Sequence, residues 1–248
     1  MNPELYIVAN RTQTNAREVC WHMAKALRTE VGFFPKPTTL AILLAQSALE
    51  SGHWKSCWNW NLGNVKASDR WGGHFTCIKL NEVLRGRGTV WFAPEGELSS
   101  KDGELVGVRY AVPPGHPQTR MRAFQELAAA VTDHVRFLFV DTTPLDGRPN
   151  RYQKAADAAI AGYAATFAHE LKVAGYYTAN EESYTRAVIS LTDKFITTAR
   201  SLDSNRDGYV DELDEPVWLT DEQWRAAARD TVASMRVEPS NDLLEAAA

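Results

Sequence analysis

The sequence predicts a mainly helical α+β protein in which helices flank a small antiparallel β-lobe. Two observations carry this. Apolar residues recur at helical spacing before residue 52 and again after residue 124. Between them the pattern changes to short apolar runs punctuated by Gly and Pro, the mark of a small sheet with long loops. The division that follows is a main domain over 1–202, with its β-lobe at about 71–123, and a C-terminal segment over 203–248.

Taken in order, Asn15 followed by Glu18 signals a helix start, Val19, Met23, Leu27 and Val31 form its stripe, and Gly32 stops it. After Pro35-Lys-Pro37, Thr38 or Thr39 is expected to cap a second helix running from Leu40 to about Ser51. That helix is apolar nearly all round apart from Gln46, Ser47 and Glu50, so it is expected to be buried. Strands are expected within Phe75–Leu80, Thr89–Phe92 and Leu105–Val112. Helical spacing returns at Phe124, Leu127, Val131, Val135 and Leu138. Alanine-rich helices fill Tyr152–Val173 with a break near Gly162, and another helix begins at Asn180 with Tyr184, Val188, Leu191 and Phe195 on one face. Past Leu202 an acidic loop leads to Thr220-Asp-Glu-Gln223, which opens a last helix carrying Trp224, Ala228, Thr231 and Met235.

Composition narrows the function classes. The 248 residues are 44% hydrophobic and 23% charged with a net charge of −4, so a generic nucleic-acid binder, which needs a basic footprint, is excluded. The charge is uneven, because from Asp203 onward 12 acids face 4 bases, a net −8 against +4 for the rest. The longest apolar stretch, Leu40–Ala45, is far short of the ~20 residues of a membrane span, so no membrane insertion is expected. The start of the chain has neither the basic nor the apolar region of a secretion signal. Cys20, Cys57 and Cys77 cannot all pair and lack CxxC spacing, and His53, His74 and His134 lack metal-ligand spacing.

The segment Leu44-Ala-Gln-Ser-Ala-Leu-Glu-Ser-Gly-His-Trp54 is the most informative. Glu50 ends an otherwise apolar helix, with Gly52 placed to stop it. The negative end of the helix dipole and the apolar surround both disfavour ionisation there, which is what a general acid needs near neutral pH. Just beyond it, Trp54, Trp58 and Trp60 could stack on sugar rings, while Asn61, Asn64 and Lys66 could bond polar substituents.

A second motif is Asp203-Ser-Asn-Arg-Asp-Gly-Tyr-Val-Asp-Glu-Leu-Asp214. Oxygen ligands at loop positions 1, 3, 5 and 12, a glycine at the sharp turn and an apolar residue at position 8 reproduce an EF-hand-type Ca2+ loop. Asp203, Asn205, Asp207 and Asp214 supply side chains, Tyr209 its carbonyl, and Asp211 a contact through water. Position 12 is Asp rather than the usual Glu, and Pro216 delays the exiting helix. The C-terminal segment is therefore read as an EF-hand-like helix-loop-helix.

Ala45-Gln-Ser-Ala-Leu-Glu-Ser-Gly52 followed by Asn61-Leu-Gly-Asn-Val-Lys66 resembles the signature of the flagellar-type and autolysin-type N-acetylglucosaminidases, lysozyme-superfamily enzymes that cut peptidoglycan glycan strands. Met121-Arg-Ala-Phe124 leading into Asp133–Leu138 resembles the family's strand-to-helix return. Ala174-Gly-Tyr-Tyr-Thr-Ala-Asn180 with Tyr184 resembles its Gly-Tyr-Ala-Thr motif. The match spans roughly Thr38 to Leu202 and departs at Gly63, where the family commonly has an aromatic. The resemblance implies a lysozyme-like helical domain, Glu50 as catalytic acid, and Tyr176 as a cleft tyrosine holding the reacting sugar, with Tyr177 beside it as a substrate contact. It implies a second carboxylate in the β-lobe, matched to Glu82, with Glu95 and Glu97 as rivals.

The function expected on this basis is hydrolysis of the β-1,4 glycan of bacterial cell wall, of N-acetylglucosaminidase type. The alternatives are a muramidase or lytic transglycosylase on the same polymer, or a non-catalytic wall-binding module of a phage tail or secretion apparatus. The expected partners are peptidoglycan strands, with an immunity protein or delivery machinery beyond them. The expected place of action is the periplasm or cell wall, reached as a phage lysin or as a delivered effector.

Overall fold

A computed structural model of the chain describes residues 2–84, 88–98, 105–106, 115–140 and 150–211. The expectations for most of the Leu105–Val112 run, for Asp214 and for the helix opened by Thr220-Asp-Glu-Gln223 lie outside the described residues.

The described elements follow the order β1 (Arg11–Thr12), α1 (Ala16–Ala26), α2 (Pro37–Glu50), β2 (Cys57–Trp58), β3 (Phe75–Cys77), β4 (Leu80–Leu84), β5 (Gly88–Ala93), β6 (Gly96–Leu98), β7 (Leu105–Val106), β8 (Arg120–Arg122), α3 (Leu127–Phe139), α4 (Gln153–Ala161), α5 (Ala164–Val173) and α6 (Glu181–Arg200). The fold class is α+β, helices with small antiparallel sheets.

Local chemistry explains several helix ends. The Asn15 side chain accepts from the Arg17 and Glu18 amides at the start of α1, and a π-helical turn over Leu27–Val31 runs into Gly32 at φ 84°. Asn180 caps α6 by accepting from Ser183 N–H, and Gly162, also at φ 84°, separates α4 from α5. The start of α2 differs from expectation. Neither Thr38 nor Thr39 caps it; the helix begins at Pro37, whose fixed φ suits the first helical position and whose missing N–H costs nothing there.

Helix α2 is the axis of the core. Its Leu40, Ile42, Leu43 and Leu44 are fully buried, each burial being worth about 1.5–3 kcal/mol. It packs chiefly along α6, with α1 and α4 on other sides, and the cluster takes in Met23, Leu27, Phe167, Leu171 and Val188.

The β region is three pieces rather than one sheet. β1 pairs with β2, β3 with β8, and β4–β5–β6–β7 form an antiparallel meander. The run expected at Phe75–Leu80 splits between two of these sheets. Phe75 opposes Arg122, whereas Leu80 opposes Phe92. Such register is set by distant partners, which local patterning does not carry. Val210, in the acidic loop, is fully buried, and its N–H donates to Pro35 O at 2.9 Å, tying that loop to the start of α2. Among the described residues no helix is long and apolar enough to cross a membrane.

Candidate active site

The last residue of α2, Glu50, opens into a cleft of about 630 Å3. Leu49, Gly63, Lys66, Glu82, Tyr176 and Tyr184 are among its walls. Burial pushes the Glu50 carboxyl up to about 7, against the opposing pull of a hydrogen bond in which Tyr184 Oη donates to Oε1 at 3.0 Å. A carboxyl held in this way carries its proton into the neutral range and can deliver it to a leaving oxygen.

Tyr184 sits in the first turn of α6, the helix that packs along α2, so the same packing that forms the core delivers the hydroxyl to the carboxyl. Its own pKa is raised, first by burial and then by the Glu50 charge, so it acts as a neutral donor. The Tyr177 ring stacks on it at 3.7 Å with planes 12° apart, and Lys172 Nζ lies 5.0 Å from the Tyr177 centroid. Tyr177 also lines the cleft.

Tyr176 reaches the cleft too, but its hydroxyl is already committed. It accepts from Gln46 Nε2 at 2.7 Å and donates to Gly63 O at 2.7 Å, so it has no proton left to offer a sugar. Burial, first, and the nearby Glu50 charge raise its pKa well above the ordinary tyrosine value.

The loop from Asn61 to Lys66 forms the facing wall. Asn61 is buried and does not contact the cleft; its side chain closes the loop on itself by accepting from Val65 N–H and donating to Val65 O, both at 2.8 Å. Asn64 takes a left-handed φ of 51°, a conformation asparagine tolerates better than most residues. Lys66 ends the loop, its ammonium 2.6 Å from Glu82 Oε1 and 2.7 Å from Gln118 Oε1.

The structure brings Glu82 to the Glu50 cleft on β4, opposite Val90 of β5. Its rivals lie elsewhere: Glu95 is exposed in the turn between β5 and β6, and Glu97 opposes Phe92 and Val106 within the meander. Among the described residues neither lines the cleft.

The three tryptophans are not cleft walls. Trp54 is only 4% exposed; its Nε1–H donates to Ser47 Oγ at 2.9 Å and its ring packs on Phe195. The reason is backbone geometry. Gly52, His53 and Trp54 all take left-handed φ values (59°, 56° and 60°), which turns the chain back so that Trp54 faces the core. Trp58 lies in the β1–β2 pair with the Arg11 guanidinium 4.8 Å from its centroid, and Trp60 takes φ 59° with its N–H bonded to Thr12 Oγ1. Cys57 is buried and its thiol is pushed up to about 11, which makes it a packing residue.

A larger hollow of about 1100 Å3 opens on the other side of Phe137, lined by Trp71, Arg122 and Asp133. Of its two acids, Glu126 is exposed and the half-buried Asp133 is paired: Arg122 Nη1 lies 2.8 and 3.0 Å from the two Asp133 oxygens. The chemistry therefore favours the smaller cleft.

Two polar residues of the site, Gln46 and Tyr184, fall within the quoted motifs but are given no role there. Gln46 had a usable signal, an amide in a nearly all-apolar helix one turn before Glu50. Tyr184 stands in the sequence as a member of an apolar stripe and beside the Gly-Tyr-Ala-Thr-like motif, with no role of its own assigned, and its hydroxyl contact depends on helix packing.

In the acidic loop, Gly208 N–H donates to Asp203 Oδ2 at 3.1 Å, while Asp207 accepts Tyr209 N–H and Asn205 Nδ2–H. Asp203 Oδ1 is buried with no hydrogen-bond partner. Arg206 and Gly208 take left-handed φ values of 62° and 93°. Tyr209 is partly exposed and Asp211 half-buried, while Asp214 lies outside the described residues. Among the described residues no group of three or more His, Cys, Asp or Glu forms a metal cluster.

No family model matches the chain, and no curated protein matches it in sequence. Solved structures similar to it include a peptidoglycan hydrolase mutant from Sphingomonas sp. A1 (20% identity over 75% of this chain and 94% of that one, TM-score 0.46). The glycoside hydrolase domain from Salmonella typhimurium FlgJ is 20% identical over 77% of this chain and 95% of that one, with a TM-score of 0.43. The catalytic domain of the autolysin Auto from Listeria monocytogenes is 14% identical over 76% of this chain and 89% of that one, with a TM-score of 0.47. These likenesses are remote.

Proposed function

We propose that this chain is a lysozyme-like peptidoglycan hydrolase that cuts the β-1,4 glycan strand as an N-acetylglucosaminidase, with Glu50 as general acid. The observation that carries the proposal is a single carboxyl at the end of a buried helix, facing a cleft and held protonated up to about pH 7. Glu50 donates its proton to the glycosidic oxygen as the bond to the anomeric carbon breaks, and Tyr184 orients the carboxyl. Glu82, on the opposite lobe and ion-paired to Lys66, is the second carboxylate; in the ionised form it takes a proton from the attacking water or stabilises the positive charge that develops on the sugar. Tyr177, Asn64 and Lys66 are the substrate contacts. The sequence signature around Glu50 and Lys66 supports peptidoglycan as the polymer, and the cell wall is then the place of action.

Digestion of purified sacculi tests this. Release of fragments with new reducing GlcNAc ends, read by mass spectrometry, is the expected result. New MurNAc ends would make the enzyme a muramidase, anhydro-MurNAc ends a transglycosylase, and binding without release a wall-binding module.

We further propose that Asp203, Asn205, Asp207, the Tyr209 carbonyl, Asp211 and Asp214 hold a structural Ca2+. The fit rests on the donor set, all hard oxygens, and on the buried, unpartnered Asp203 Oδ1. The ion would neutralise gathered acids and brace the loop; it takes no part in bond cleavage.

A further inference from the structure

Gln46 is fully buried in α2, one helical turn before Glu50. A buried amide is costly unless it is used. Its Nε2–H donates to Tyr176 Oη, and Tyr176 Oη–H donates to Gly63 O. The direction is forced by chemistry. The Gly63 carbonyl can only accept, so the one tyrosine proton goes to it, the tyrosine oxygen must accept, and the amide must turn its NH2 toward the ring. Gln46 Oε1 is thereby left buried with no hydrogen-bond partner. A leucine or methionine would fill this place without that penalty, so the amide is not there for stability.

Tyr176 and His134 lie so close to the Gly63 backbone that position 63 has no room for a side chain. A Cβ there would stand 2.6 Å from His134 Nδ1 and 3.0 Å from Tyr176 Oη. From Gly63 the loop continues to Lys66, closed by Asn61, so a fixed Gly63 fixes the wall that carries Asn64 and Lys66.

We propose that Gln46 is a positioning residue for the reaction: acting through Tyr176, it sets the spacing across the cleft between Glu50 and the Gly63–Lys66 wall. The inference rests on the hydrolase function proposed above. Since Gln46 and Glu50 share one rigid helix, the relay measures the acid's distance from the substrate contacts directly. A misplacement near 1 Å costs on the order of 100-fold in rate.

The test uses the full chain with Gln46→Leu, Tyr176→Phe and their combination, with Gln46→Met as a less perturbing second variant. Gln46→Leu is expected to lower kcat on sacculi about 10- to 100-fold with KM changed less than about threefold. Backbone amide NMR shifts of Gly63–Lys66 should move in both single variants. The double variant should be no slower than the worse single one, because both break the same relay. The proposal is overturned by unmoved amide shifts, by losses that multiply in the double variant, or by a lowered Tm with unchanged kcat. A wild-type protein that releases nothing from sacculi would overturn the hydrolase function instead, and the amide shifts would still decide whether Gln46 holds the wall.

Discussion

Glu50→Gln exchanges a carboxyl for an amide of nearly the same shape, so it removes the transferable proton and the ionisable charge together. The two losses act in opposite directions. For catalysis, an amide cannot protonate a leaving oxygen, and the rate on sacculi should fall by about 100-fold or more. For stability, the carboxyl is raised from 4.5 to about 7 in the fold, chiefly by burial. The folded state then holds a proton that the unfolded chain releases at lower pH. Wild-type stability is full below about pH 4.5 and is lost as pH rises through 7. At about 1.36 kcal/mol per tenfold change in proton affinity, the loss amounts to ~3 kcal/mol above pH 8. Glutamine has no such loss, so the variant should match wild type at pH 4 and exceed it by up to ~3 kcal/mol at pH 9. Urea denaturation at pH 4, 7 and 9, beside a reducing-end assay, reads both effects. Retention of a tenth of the wild-type rate, or a stability difference that does not change with pH, would refute the role assigned to Glu50.

Three further outcomes follow from the same geometry. Tyr184→Phe removes the hydrogen bond that pulls the Glu50 pKa down, so the alkaline limb of the pH–rate profile should move to higher pH while kcat falls. His134 is fully buried, both ring nitrogens lack hydrogen-bond partners, and burial with the nearby Arg122 charge lowers its pKa to about 4. Its contribution is present above pH 6.5 and is lost as pH falls toward 4, by up to ~3 kcal/mol, so His134→Phe should flatten the acid side of the urea-midpoint profile. Chelation should lower Tm while activity at low temperature survives, and at a hundredfold excess over Kd calcium should add about 2.7 kcal/mol. Asp203→Ala/Asp207→Ala should abolish the calcium response, and a wild-type Tm indifferent to both calcium and chelator would remove the ion from the loop.

What the sequence determined by itself is the part written in short-range chemistry. Asn15 and Asn180 place helix starts because their side chains bond amides two and three residues on, and Gly32 and Gly162 place helix ends because left-handed backbone is cheapest there. The raised proton affinity of Glu50 is legible for the same reason, as one acid closing a helix that is apolar nearly all round. Tertiary structure alone decided which side chains meet that acid. The left-handed turn at Gly52–Trp54 sends the nearest tryptophan into the core, while Tyr184, more than a hundred residues downstream, arrives through the packing of α6 on α2. Sheet register brings Glu82, and not Glu95 or Glu97, to the cleft, and the commitment of the Tyr176 hydroxyl to Gln46 and Gly63 depends on three segments meeting at one point. Contacts of this kind are fixed by the shape of the whole core, and a local pattern of residues holds no record of them.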